Sequence, residues 1–288
     1  MRPYKDLQSI LNSRLVSSLP PADSRVLRRR LLAAAALLLT RPSLAQDGGA
    51  AEEGGGGGEG VLVMMEELQP FSFLDEQRQP AGYAVELARE LLTRADLPGS
   101  FEIGSWTRVL AKGRGRGAVL IPAIVRLPER EKEYYWLGSI ARRRGMVYRL
   151  KRRREVKPRN FEELRHYRTA VVIGDASERE MLRLGLDPSQ HLDRCADYAV
   201  ALRRLFAGRV DLLSISQGVA PTVLKQHGYP FEAMEPVLKL PESLPSMALS
   251  LATDAPTRQK LQRAFDAMKR DGRMAEIAAR YPTLPQEP

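Results

Sequence analysis

Between Val61 and Ile121 the chain alternates short apolar runs with amphipathic stretches, and this alternation restricts the fold more than any other feature. Val61 to Met65 reads as a strand. From Tyr83 to Ala95, Val85, Ala88, Leu91, Leu92 and Ala95 fall on one helical face. Phe101 to Ile103 is a short strand, and Trp106 to Lys112 a second helix ahead of the Gly-rich turn 113–117. Ala118 to Ile121 is then wholly apolar, the pattern of a strand covered on both faces. Strand, helix, strand, helix, strand predicts a parallel sheet flanked by helices.

A second α/β unit follows. Arg144 to Leu150 reads as a strand leaving the first unit, Phe161 to Tyr167 as helical, and Thr169 to Ile173 as an apolar strand. The turn 174–177 leads into a helix over 178–184. Asp197 caps a helix over 198–207, and Val210 to Ile215 is a buried strand. A helix over 219–227 and a strand over 246–252 come next. Asp254, with Pro256 in the first turn, starts a helix through Met268, and the last helix covers 274–280. The order predicts two lobes: 61–150, then 151–245, then a return over 246–288. The two crossings are expected at Tyr148 to Lys151 and at Pro241 to Met247.

The first sixty residues read as address and tether. Arg28-Arg29-Arg30 precedes the apolar run Leu31 to Leu39, and Ser43-Leu44-Ala45 has the small residues of a signal-peptidase site. Residues 1–45 are therefore expected to be a signal peptide cut near Ala45. Residues 46–60, acidic and rich in glycine, are expected to be a flexible linker. With 43% hydrophobic residues the remainder can bury a substantial core. The net charge of +10 raises nucleic acid or an anionic membrane as a partner. The excess sits in short runs, however, and export together with unclustered aromatics argues against nucleic acid. Cys195 is the only cysteine, so no intrachain disulfide is available, and His166, His191 and His227 are scattered. Neither a metal nor a cofactor is expected.

Arg126 and Arg130 follow the buried strand ending at Pro122, with Pro128 placed for the first turn of a short helix. Ligands of open α/β sheets bind at the carboxyl ends of strands, and paired guanidiniums suit a carboxylate or phosphate. The competing reading is that both are surface arginines paired with Glu129, Glu131 or Glu133.

In this order the chain resembles the bacterial extracellular solute-binding proteins of family 3, in a divergent periplasmic subgroup. The marks are Pro70-Phe71-Ser72-Phe73, Gly82 to Leu87, Trp106, Arg126 to Glu131, Trp136-Leu137-Gly138, Gly208-Arg209-Val210-Asp211 and Met268 to Gly272. The resemblance covers about residues 61 to 283. It implies a two-lobed α/β fold of the type II periplasmic-binding-protein kind, each lobe a mostly parallel sheet with helices, joined by a double hinge crossing. It implies that Arg130 grips a ligand carboxylate and that Phe71 or Phe73 lines the first-lobe wall. Residues 174–177, with Asp175 and Ser177, then meet the ligand at a helix N-terminus, unless Ser177 only caps that helix. Trp106 and Trp136 are cleft aromatics or packing. At Ser216 the family carries an Asp for the ligand ammonium, and Leu127 and Ala84 also depart from its pattern.

Without that acid, an ammonium would lack its counter-ion, so a small anionic or carboxylate-bearing solute, amino-acid-like or an organic acid, is expected. The expected protein is a monomeric periplasmic receptor serving ABC-type uptake with a membrane permease, and not an enzyme. Two alternatives stand beside it. One is a degenerate receptor acting as a sensor or partner protein. The other is a dehydratase-like enzyme on the same fold, for which Glu66, Glu67 and Glu86 are the candidate acids.

Overall fold

A computed structural model describes residues 60–284. The expected signal peptide and, apart from Gly60, the expected linker lie outside the described residues.

The first lobe is a five-stranded sheet in the order β4-β1-β5-β12-β6, built from β1 (Val61–Met65), β4 (Gly99–Ile103), β5 (Val119–Val125), β6 (Tyr134–Ser139) and β12 (Pro245–Ser250). β1 runs parallel to β4 and β5, as the alternation predicts, and β12 runs antiparallel between β5 and β6. A small hairpin of β2 (Phe73–Leu74) and β3 (Pro80–Ala81) hangs from the loop after β1. Its turn is held by the Asp75 carboxylate, which accepts from the N–H groups of Gln77 and Gln79. The second lobe has the order β11-β7-β10-β8-β9, from β7 (Arg143–Leu150), β8 (Thr169–Val172), β9 (Leu192–Cys195), β10 (Leu212–Ser216) and β11 (Met234–Ser243). Here β8, β9 and β10 are parallel while β7 and β11 are antiparallel.

The helices close on these sheets through the faces the sequence marks. Helix α1 (Tyr83–Ala95) buries Val85, Leu87, Leu91 and Leu92, and each such leucine contributes on the order of 2 kcal/mol. It packs beside α6 (Ala255–Arg270), whose Leu261, Phe265 and Met268 face inward. Gly138 on β6 has φ 154°, and a Cβ there would stand 2.5 Å from the Phe265 ring, so this strand accepts only glycine against α6. Helix α2 (Trp106–Gly113) covers β1 and β5. In the second lobe α3 (Ala176–Arg183) and α4 (Tyr198–Phe206) flank β8 and β10. Asp197 caps α4 through the Val200 N–H, and Asp254 caps α6 through that of Thr257. The short α5 (Ala220–Gln226) and α7 (Arg273–Ala279) complete the set. The stretch expected as a helix over 161–167 forms only a 3-10 turn, Glu162–His166.

The first crossing lies earlier than expected. β7 already pairs with β10 and β11, so the chain changes sheet between Ser139 and Arg143 rather than at Tyr148 to Lys151. The return passes through Leu244, between β11 and β12. The crossings run side by side, with the Ile140 N–H donating to the Pro245 carbonyl at 2.9 Å and that of Arg126 to the Leu244 carbonyl at 3.2 Å. The basic run near Arg152 is pinned to its own lobe. Arg152 donates to the Phe206 carbonyl, Arg153 pairs with Asp211 and Glu155, and Arg149 beneath it donates to the carbonyls of Arg153, Arg154 and Val156.

Candidate functional site

Between the lobes lies a small cavity of about 60 Å³. Its floor is the end of β5, which delivers Ala123 and Val125, and the loop after β1, which delivers Glu66 and Phe71. The second lobe supplies Asp175 and Ala176 from the start of α3, Tyr198 from α4 and Ser216 from the end of β10. These are the carboxyl ends of strands in both sheets, where side chains of successive loops converge.

Arg130 stands at the centre of the polar wall. Leu127 is extended, and Pro128 opens a three-residue 3-10 turn that swings Arg130 inward, leaving it 3% exposed. Its Nη1 donates to the Val125 carbonyl at 2.9 Å and its Nη2 to the Gly174 carbonyl across the cleft. Its guanidinium carbon lies 5.8 Å from the Trp106 ring centroid. Burial draws the Arg130 pKa down, while Asp175 supports the charge. Glu66 is its acidic counterpart. Although the residue is only partly covered, burial of the carboxyl, reinforced by the negative charge of Asp175, pushes its pKa up to about 8 against the pull of Arg130.

The sequence-predicted residues divide. Arg130, Phe71, Trp106, Asp175 and Ser216 line the cavity. Arg126 does not. It is exposed, makes two bonds to the Glu131 carboxylate and lies over the Trp136 ring, facing a separate surface cleft beside the crossings. A 3-10 turn rather than an α-helix separates the two arginines, so four-residue spacing does not put them on one face. Phe73 belongs to the hairpin and is also outside the wall. Ser177 is fully buried, gives both its N–H and its hydroxyl to the Asp175 carboxylate, and is not among the residues lining the cavity. Of the three candidate acids only Glu66 reaches the cavity. Glu67 accepts from Gln226 across the lobes, and Glu86 pairs with Arg280.

Among the lining residues that sequence reading did not single out are Arg143, Tyr198 and Leu284. Arg143 sits in a run of three arginines that reads as surface charge. Its period-two relation to the buried Gly145 and Val147 of β7 is the signal that marks it as inward-facing. Its Nη1 bonds Glu180 at 2.8 Å. Burial works against its charge, but Glu180, with Asp175 and Tyr198, holds its pKa above the usual value. Tyr198 is the first residue of α4, and burial sends its phenol pKa well up. Leu284 follows the last described turn and lines both the cavity and an open groove of about 620 Å³ beside Tyr148 and Phe231.

A two-lobed α/β architecture with a charged cavity between its lobes defines a ligand-binding receptor of the type II periplasmic-binding fold. The chain belongs to the bacterial extracellular solute-binding proteins, family 3, whose model matches residues 61–283. No curated protein matches it. Among solved structures it is similar to a histidine kinase sensor domain with similarity to periplasmic binding proteins, with TM-score 0.69 and 17% identity over 80% of this chain and 99% of that one. An ancestral arginine-binding protein bound to arginine gives TM-score 0.66 and 20% identity, covering 77% of this chain and 98% of that one. An ancestral amino-acid-binding protein described as a precursor of cyclohexadienyl dehydratase gives TM-score 0.63 and 20% identity, over 77% and 95%. At these identities the likeness concerns the fold.

Proposed function

We propose that this protein is an exported receptor whose lobes close around a small carboxylate-bearing solute, with Arg130 as the anion clamp, and that it serves ABC-type uptake. The observation that carries this is the state of Arg130. It is a deeply buried cation in an inter-lobe cavity, and it donates hydrogen bonds to two main-chain carbonyls, one from each lobe. Neutral carbonyls are weaker partners for a guanidinium than a carboxylate, which binds it bidentately. A solute carboxylate displacing the Gly174 carbonyl would exchange a neutral acceptor for a charged one. It would also bridge the lobes and favour the closed form by its differential affinity.

The test is a thermal-shift screen of residues 46–288 against organic acids, amino acids and small peptides, run beside Arg130→Ala and Arg130→Lys. Solutes that bind only the folded chain raise its melting temperature by mass action. The expected result is a shift in the wild type, absent in Arg130→Ala and weakened in Arg130→Lys, whose ammonium lacks the planar fork. A cooperatively melting wild type that no solute shifts would favour a second reading, supported by the likeness to the histidine kinase sensor domain. In it the protein signals to a partner instead of delivering a solute.

A further inference from the structure

We propose that Arg143 forms a second anion-binding pole in the cleft, so that the solute is a compact molecule with two anionic ends, of the dicarboxylate class. The inference rests on the receptor reading above and narrows it. Arg143 lines the same cavity as Arg130, is 7% exposed, and its Nη2 has no hydrogen-bond partner. The other nitrogen of its fork is used twice, on Glu180 Oε1 at 2.8 Å and on the Ser243 hydroxyl at 3.4 Å. A buried N–H of a guanidinium without an acceptor is costly, and an anionic oxygen in the cavity is the partner that removes the cost.

The Arg130 pole repeats the arrangement. Trp106, whose ring lies beside the Arg130 guanidinium, also lines the cavity, and its buried Nε1 has no partner. Two unused donors, one from each lobe, therefore accompany two guanidiniums anchored on different lobes. The Asp175 carboxylate lines the same cavity, and its charge acts on both Arg130 and Arg143. Glu66 holds its proton through neutral pH and adds little negative charge there. Glu180 pairs with Arg143 through Oε1 while its buried Oε2, like Arg143 Nη2, has no partner, and Arg142 adds a further cation, shared with Glu242. Among the described lining residues the positive groups thus outnumber the ionised acids, and the surplus is split between two places.

Calorimetry on residues 46–288 tests this with malonate, succinate and glutarate against propionate and butyrate, and with L-alanine as a zwitterion. The preferred dicarboxylate is expected to bind about tenfold or more tighter than the monocarboxylate of similar length. Arg143→Gln leaves Glu180 buried without its partner and risks misfolding. The double variant Arg143→Gln/Glu180→Gln removes the pair together and is the one to measure. In it the ratio of dicarboxylate to monocarboxylate affinity should collapse to about one. A preference that survives in the double variant overturns the second pole. Tight L-alanine binding with no dicarboxylate response overturns the dianion while leaving the receptor standing. If no probe of any kind binds, the receptor reading itself fails, and this inference with it.

Discussion

Glu66 and Arg130 share one cavity with opposite demands on it, and Glu66 makes the clearer prediction. Its carboxyl is pushed up to about 8 by burial first and Asp175 second. A carboxyl whose folded pKa exceeds its unfolded value binds its proton more tightly in the native state. Its stabilisation is therefore complete below the ordinary carboxylate range and is lost as pH climbs to the folded value. The window runs from the ordinary carboxylate value of 4.5 to about 8, with a slope of at most ~1.4 kcal/mol per pH unit. The wild type is expected to lose melting temperature across that window, and Glu66→Gln to flatten the loss. Thermal melts at constant ionic strength measure it, and equal slopes in the two chains would mean that Glu66 ionises at no cost. At this scale the sequence was partly readable. Arg130 announces itself by following a buried strand and Pro128. Arg126 carries the same local signature but turns outward, because the intervening turn has three residues per turn. Arg143 hides among like neighbours until the face of β7 is known.

At the scale of elements, two aspartate caps of the same chemistry sit in different places. Asp254 caps α6 on the exposed side of the first lobe, and Asp175 caps α3 where it meets the cavity. Asp254→Ala and Asp175→Ala should each cost about 1 kcal/mol by chemical denaturation. Only Asp175→Ala should alter the response to solutes in the thermal screen, and a matching change in Asp254→Ala would mean that both act through stability alone. The elements themselves were legible in proportion to burial. The central strands β1, β5, β8 and β10 stand out as apolar runs. β6, β9 and β11, which the sequence left unmarked, all lie at sheet edges. There one side of the ladder is free and polar residues are tolerated. β11 also contains Pro236 and Pro241 and shifts register twice, features that an edge strand accommodates readily and that blur its pattern in the sequence. Leu284 had no periodic context at all, since its place in the cavity depends on how the chain turns after α7.

For the whole molecule, the lobes are joined by two adjacent crossings and by contacts across the cleft, among them Glu67 with Gln226 and Arg130 with Gly174. Removing the Arg130 donor should let the lobes separate. Small-angle scattering is expected to give a larger radius of gyration for Arg130→Ala than for the wild type, and an unchanged value would show that the other contacts suffice. The clasp has a lopsided inheritance. Its donor is a side chain, which one codon change can delete, lengthen or neutralise. Its acceptor is a main-chain oxygen that every residue possesses, so mutation at position 174 can reach it only by moving the backbone. That backbone has φ 75°, and a Cβ there would come 3.0 Å from the Leu110 side chain. Natural variation in how firmly this clasp shuts can therefore be graded at position 130, where side chains differ in reach and charge, whereas position 174 is held to glycine.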